Sequence, residues 1–165
     1  MGLFTFIKDA GAKIFGGKTT AEKKAAEMAK HAAREAAEDR QAEQHLHSVI
    51  SDLGLEVENL QIVINDDLAT VGGKAASQST REKVVLVIGN SAGIANVQDN
   101  MEVEIKEPQA TFHTVEKGDT LSKIAKNVYG NAMKYPVIFE ANKPMLTHPD
   151  KIYPGQVLRI PALDS

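Results

Sequence analysis

Cysteine is absent from the 165-residue chain, which excludes disulfides, thiolate metal sites and cysteine nucleophiles without assigning a compartment. A surplus of basic charge is also missing. Lys and Arg number 19 against 22 Asp and Glu, the two signs are interleaved and the net charge is -3, so the electrostatic footprint of a nucleic-acid binder is not there. No run approaches the ~20 apolar residues of a membrane span, so stable membrane insertion is not expected. The opening Met1-Gly-Leu-Phe-Thr-Phe-Ile7 meets Lys8-Asp9 at once instead of running on to a small-residue cleavage site. Phe6 also stands where the myristoylation pattern needs Ser or Thr. A cytoplasmic protein is the expectation.

Proline is missing from the first two thirds: all six lie at or after Pro108, and the stretch between Gly17 and Gly54 holds neither Pro nor Gly. The chain changes character along its length. With 42% apolar residues it can build two small cores more readily than one.

Leu3, Phe4, Phe6, Ile7, Ala10, Ile14 and Phe15 recur at helical spacing and predict a short amphipathic segment, interrupted near Gly11 and ended by Gly16-Gly17. Its polar face carries few cations, so docking on the protein's own core is favoured over a membrane surface. In this reading residues 2–17 belong to neither sheet. From Thr19 to Leu53 strong helix formers predominate, predicting one long helix or two abutting ones, capped by Thr19 or Thr20. Ala25, Ala29, Ala32 and Ala36 give only an alanine stripe, whereas Leu46, Val49, Ile50 and Leu53 give an apolar face that should bind the core.

Leu60, Ile62 and Ile64 alternate as a half-buried strand, Asn65-Asp66-Asp67 marks a turn, and Ala69, Val71 and Gly72-Gly73 predict the return strand. Ser79-Thr-Arg-Glu82 reads as a capping box ahead of Val84 to Ile88, closed by Gly89-Asn90. Val97, Met101, Val103 and Ile105 predict one further strand. Helix, strand, strand, helix, strand describes a small α+β sandwich with helices on one face of a sheet. The segment from about Gln44 to Lys106, with this order and the run Val84-Val-Leu-Val-Ile-Gly-Asn-Ser-Ala-Gly-Ile-Ala-Asn-Val97, resembles a BON domain.

After Glu107-Pro-Gln-Ala110, a short linker, Phe112-His-Thr-Val-Glu-Lys-Gly-Asp-Thr-Leu121 supplies a strand and a Gly-Asp turn into a helix opened by Asp119 or Thr120. Tyr129-Gly-Asn131 closes that helix. Ile138-Phe-Glu-Ala-Asn142 gives a second helix, and Ile152-Tyr-Pro-Gly-Gln-Val-Leu-Arg-Ile-Pro161 a turn and the partner strand. V-x-x-G-D-T-L, E-A-N and Y-P-G-Q-x-L-R-I-P together are similar to a lysin motif (LysM), a βααβ domain. The predicted organisation is thus an N-terminal segment and charged helix over 1–43, a BON-like domain over 44–106, a linker over 107–111 and a LysM domain over 112–161.

No catalytic constellation stands out: nothing matches H-E-x-x-H, a Walker loop or a G-x-S-x-G elbow, so a binding protein rather than an enzyme is expected. His45 and His47, two apart on a helix, point in different directions and read as solvated residues rather than ligands. Asp66-Asp67 lacks the alternating oxygens and distal Glu of a calcium loop and reads as a hairpin turn. The loop Gly89-Asn-Ser-Ala-Gly-Ile94 admits two readings: a C-cap whose glycines supply positive φ, or a set of open carbonyls where a helix ends.

Both modules in this order, behind Met1-Gly-Leu-Phe-Thr-Phe6 and Lys8-Asp-Ala-Gly11, resemble the small cytoplasmic potassium-binding proteins of bacteria; the charged helix over 19–40 is longer than that family suggests. The resemblance implies one dehydrated potassium ion, replaceable by rubidium or caesium, held by the carbonyls of Ile7, Ala10 and Ala12 facing those of Gly89, Ser91 and Ile94. A monomer is expected, and the ion is the one partner named. Two other functions compete: an N-acetylglucosamine polymer held beside Gly118-Asp-Thr-Leu121, as lysin motifs do, and phospholipid association, as the BON resemblance suggests.

Overall fold

Ala42, Leu46 and Ile50 recur every four residues and are all buried, so one stripe of a helix seals against a sheet. The computed structural model that shows this describes residues 2–6, 12–13 and 25–163. That helix, α1 (Ala25–Asp52), is a single piece of 28 residues, and residues 33–36 on its far half are exposed. Thr19 and Thr20, the expected caps, lie outside the described residues.

Strands β3 (Val57–Asn65) and β4 (Leu68–Ser77) form the expected antiparallel hairpin. Ile62, Ile64, Ala69 and Val71 point inward, and the turn is made by Asp66 at φ 57 with Asp67. Helix α2 (Gln78–Gly89) follows, with Val84, Val85, Leu86 and Ile88 buried. Its N-cap is Ser77, whose side chain accepts the Thr80 N–H at 3.1 Å, so the capping box expected at Ser79 and Glu82 is corrected. Two serines two residues apart offered the same cap chemistry, and burial of Glu82 leaves its carboxylate facing elsewhere.

The single strand expected over 97–105 is divided into β6 (Asn96–Asp99) and β7 (Glu102–Ile105), both parallel to β4 at successive places along it. The break has a polar cause. The Asp99 side chain turns inward to Arg81 at 2.7 Å and accepts the Met101 N–H at 2.9 Å, which bends the backbone at Asn100. Before β6 a two-residue strand, β5 (Ser91–Ala92), lies in the loop after α2.

At the other edge of β6 sits β1 (Gly2–Thr5), antiparallel to it, so the sheet runs β1-β6-β4-β3 with β7 also on β4. The helical expectation for this stretch is corrected. Leu3 and Thr5 are exposed while Phe4 is half-buried and Phe6 buried, a period of two, and the strand pairs an otherwise open sheet edge. Residues 2–5 of this stretch therefore do contribute to the sheet. A further short strand, β2 (Ala12–Lys13), pairs parallel with β5, while Ile7, Ala10, Ile14 and Phe15 lie outside the described residues.

The C-terminal part has β8 (Thr111–Thr114), α3 (Leu121–Tyr129), a 3₁₀ turn at Ala132–Lys134, α4 (Tyr135–Ala141) and β9 (Val157–Ile160), with β8 and β9 antiparallel. Thr120 caps α3 by accepting the Lys123 N–H, and Gly130 ends it at φ 73. Leu121, Ile124, Ile138, Leu158 and Ile160 fill a second core. Thr111 already belongs to β8, so the connection after β7 is shorter at its end than expected. The two cores meet: Val157 of β9 belongs to the first one, and Phe112 and Met145 pack against it.

Candidate functional site

Helix α2 ends at Asn90, with φ -81, whose N–H donates to the Leu86 carbonyl at 2.9 Å. Gly89 serves space rather than backbone conformation: a Cβ there would stand 2.0 Å from Cζ of Phe6. Positive φ is confined in this loop to Gly93, at 97°. Of the two readings of the loop, the C-cap one is corrected to this extent: the cap is Asn90.

Ser91 is buried, and its Oγ donates to the Val87 carbonyl at 2.9 Å, answering one of the groups a helix end leaves open. The Ser91 carbonyl accepts the Ile94 N–H at a long 3.3 Å, and Ile94 is fully buried. Ala12 of β2 lies opposite Ser91, and Lys13 opposite Ala92. The Phe6 N–H donates to the Ala95 carbonyl at 2.6 Å. The N-terminal chain is thus fastened to the loop twice, at Ala95 by Phe6 and at Ser91 by Ala12. Among the six positions named from sequence, Ala12, Gly89, Ser91 and Ile94 fall on this loop and its partner strand, and Ile7 and Ala10 lie outside the described residues.

From Gly89 to Ala95 every side chain is uncharged, so the donors available are neutral oxygens, which suit a weakly hydrated monovalent ion better than a divalent one that seeks carboxylates. Among the described residues, no three His, Asp or Glu groups are placed to share a metal. His45 borders one cavity and His47 another, so the two do not converge.

The loop is also joined to the C-terminal module. Asn90 Nδ2 donates to the Val157 carbonyl at 2.9 Å, and its Oδ1 accepts the Val157 N–H at 2.8 Å. Asn142, the last residue of the E-A-N run, does the same for Arg159, at 2.8 and 2.7 Å. Alternation in the antiparallel ladder turns the Val157 and Arg159 backbones away from β8, so two asparagines, one from each module, cap the outer edge of β9. Beside them Glu82, 5% exposed, accepts from Gln78 Nε2 and from the Ala110 N–H, both at 2.9 Å, and pairs with the Arg159 guanidinium. The Phe4 and Phe112 rings close the same junction, with centroids 5.3 Å apart. A cleft of about 430 Å³ remains between the modules, bordered by His45, Val49, Asn90, Ser91, Met145 and Tyr153. Burial there raises the Tyr153 hydroxyl above its ordinary pKa.

At the turn before α3, the Asp119 carboxylate accepts the Glu116 N–H at 2.9 Å and lies 3.1 Å from His113 Nε2; these two contacts hold its pKa below the ordinary carboxylate value. Lys83, near Arg159, is lowered by burial first and by that guanidinium second, with Glu140 opposing.

Sequence reading missed Phe6, Asn90, Glu82 and Arg159. The alternation around Phe4 and Phe6 could have signalled the strand. No local pattern could have linked Asn90 or Glu82 to partners on β9.

Residues 113–161 match the LysM domain family. An uncharacterized protein of Deinococcus radiodurans is 51% identical over 51 residues, which is 31% of this chain and 19% of that protein. The potassium binding protein Kbp of Escherichia coli O6:H1 is 44% identical over 162 residues, covering 98% of this chain and 99% of that protein. At that identity over nearly the full length of both proteins, the chain belongs to the Kbp family.

Proposed function

We propose that the chain binds a potassium ion through the backbone carbonyls of Ile7, Ala10, Ala12, Gly89, Ser91 and Ile94, between the N-terminal segment and the BON-like first module. Occupancy orders both modules, and the protein acts as a cytoplasmic ion sensor with no catalytic role. The observation that carries this is the pairing of Ala12 with Ser91, which sets an N-terminal backbone against the uncharged loop after α2. The name of the Escherichia coli relative adds the ion. Rubidium and caesium, also large and weakly hydrated, are expected to substitute, whereas sodium and lithium fit a carbonyl cage less well. Carbonyl ¹³C shifts on adding potassium chloride at constant ionic strength test the donor set. The carbonyls of Ile7, Ala10, Ala12, Gly89, Ser91 and Ile94 should move most, and shifts spread evenly over surface residues would reject it.

The LysM match favours a second reading, an N-acetylglucosamine polymer held beside Gly118-Asp-Thr-Leu121. Co-sedimentation with insoluble peptidoglycan tests it, and full recovery in the supernatant would count against it.

A further inference from the structure

Phe6 touches both ends of the loop after α2. Its backbone is fixed at one end, where the N–H meets the Ala95 carbonyl at 2.6 Å. Its side chain reaches the other end: Cζ, Cε1 and Cε2 lie 2.0, 2.2 and 2.2 Å from where a Cβ on Gly89 would stand, so the tip of the ring occupies the space glycine leaves. The surroundings are buried. Phe6 is 7% exposed, and Ile88, Ile94 and Val97 are fully buried.

We propose that Phe6, seated on Gly89, is the specificity-determining strut of the ion loop: it fixes the separation of the loop's ends, and hence the smallest ion the loop can close around. This rests on the ion reading above. A packed aromatic ring is nearly incompressible, so a loop braced by it cannot contract around sodium without expelling the ring from a filled core. A neutral carbonyl cage discriminates between monovalent ions only if its width, or the number of oxygens it presents, resists such contraction. Glycine at 89 is what lets the ring approach. A larger residue would push the strut away and widen or distort the loop.

Phe6→Leu shortens the strut, and Gly89→Ala displaces it. Dissociation constants for potassium and sodium, each titrated into the full chain by calorimetry and checked by melting temperature, give the preference for potassium. Phe6→Leu is expected to reduce that preference by about tenfold, since bracing acts by preorganisation. Gly89→Ala is expected to weaken potassium binding, and Phe6→Leu added to Gly89→Ala should restore part of it, because the shorter side chain makes room for the new methyl group. Ile62→Ala, a truncation of the same core on β3, should lower the melting temperature and leave the preference unchanged. An unaltered preference in folded Phe6→Leu, or the same loss in Ile62→Ala, overturns the strut while leaving the ion site standing. No potassium preference in the unsubstituted chain overturns both.

Discussion

Asn90 and Val157 stand 67 positions apart in sequence, yet both ends of the Asn90 side-chain amide are bonded to the Val157 backbone, at 2.9 and 2.8 Å. Asn90 directly follows Gly89, so whatever orders the loop after α2 bears on β9 through a single side chain. In effect it takes the place of a neighbouring strand on that edge of β9, which among the described residues pairs with β8 alone.

Asn90→Ala should destabilise the protein by about 1–3 kcal/mol, because the Val157 N–H and carbonyl lose their partners at a buried junction. Asn90→Asp should cost at least as much, since it can still accept the Val157 N–H but sets a charged acceptor against the Val157 carbonyl, where the amide donated. Urea denaturation of both variants checks the order. Equal stability of Asn90→Ala and the unsubstituted chain would contradict the clamp.

Glu82→Ala leaves the Arg159 guanidinium, 11% exposed, without its carboxylate and also strips the Ala110 N–H of its acceptor. Breaking a buried pair on one side should cost about 3–5 kcal/mol, and adding Arg159→Met should recover a large part of it. A double-mutant cycle by chemical denaturation measures the coupling. Additive losses would show that the pair does not join the modules.

Depression of the Asp119 pKa makes a prediction of definite sign. Its folded value lies below the ordinary 3.8, so its contribution to stability is complete above that value and is lost as pH falls through the folded one. Asp119→Asn should therefore lower stability at pH 7 and narrow the difference between variant and native near pH 3. An Asn variant as stable as the native chain at pH 7 would contradict it.

Much of the fold was legible where a pattern is local and repeated. Leu46 and Ile50 announced the core face of α1, Ile62 and Ile64 the inward face of β3, and Thr120 and Gly130 the limits of α3. The N-terminal strand was not, because four residues with Leu3, Phe4 and Phe6 fit a helix as well as an edge strand until a partner exists. Glu82 matched a capping box in spacing, and only its distant pairing with Arg159 shows why an acid stands there. At the candidate site Gly89 was visible as a glycine, but for the wrong reason. The sequence suggested freedom of φ, whereas the structure requires room for Phe6. Asp99 is 2% exposed and held by Arg81, since a strand break can bury an acid that its neighbours give no reason to hide.

Because β1 is part of the sheet, removing residues 2–17 would damage the fold as well as the proposed site, so the central claim is best tested on the intact chain. Melting temperatures in matched potassium, rubidium, sodium and lithium chlorides measure selective binding to the native state directly. An ion at ~100 times its dissociation constant adds about 2.7 kcal/mol of stability. Potassium and rubidium should raise the melting temperature clearly above the values in sodium and lithium. Equal temperatures in all four salts would contradict a carbonyl site for potassium.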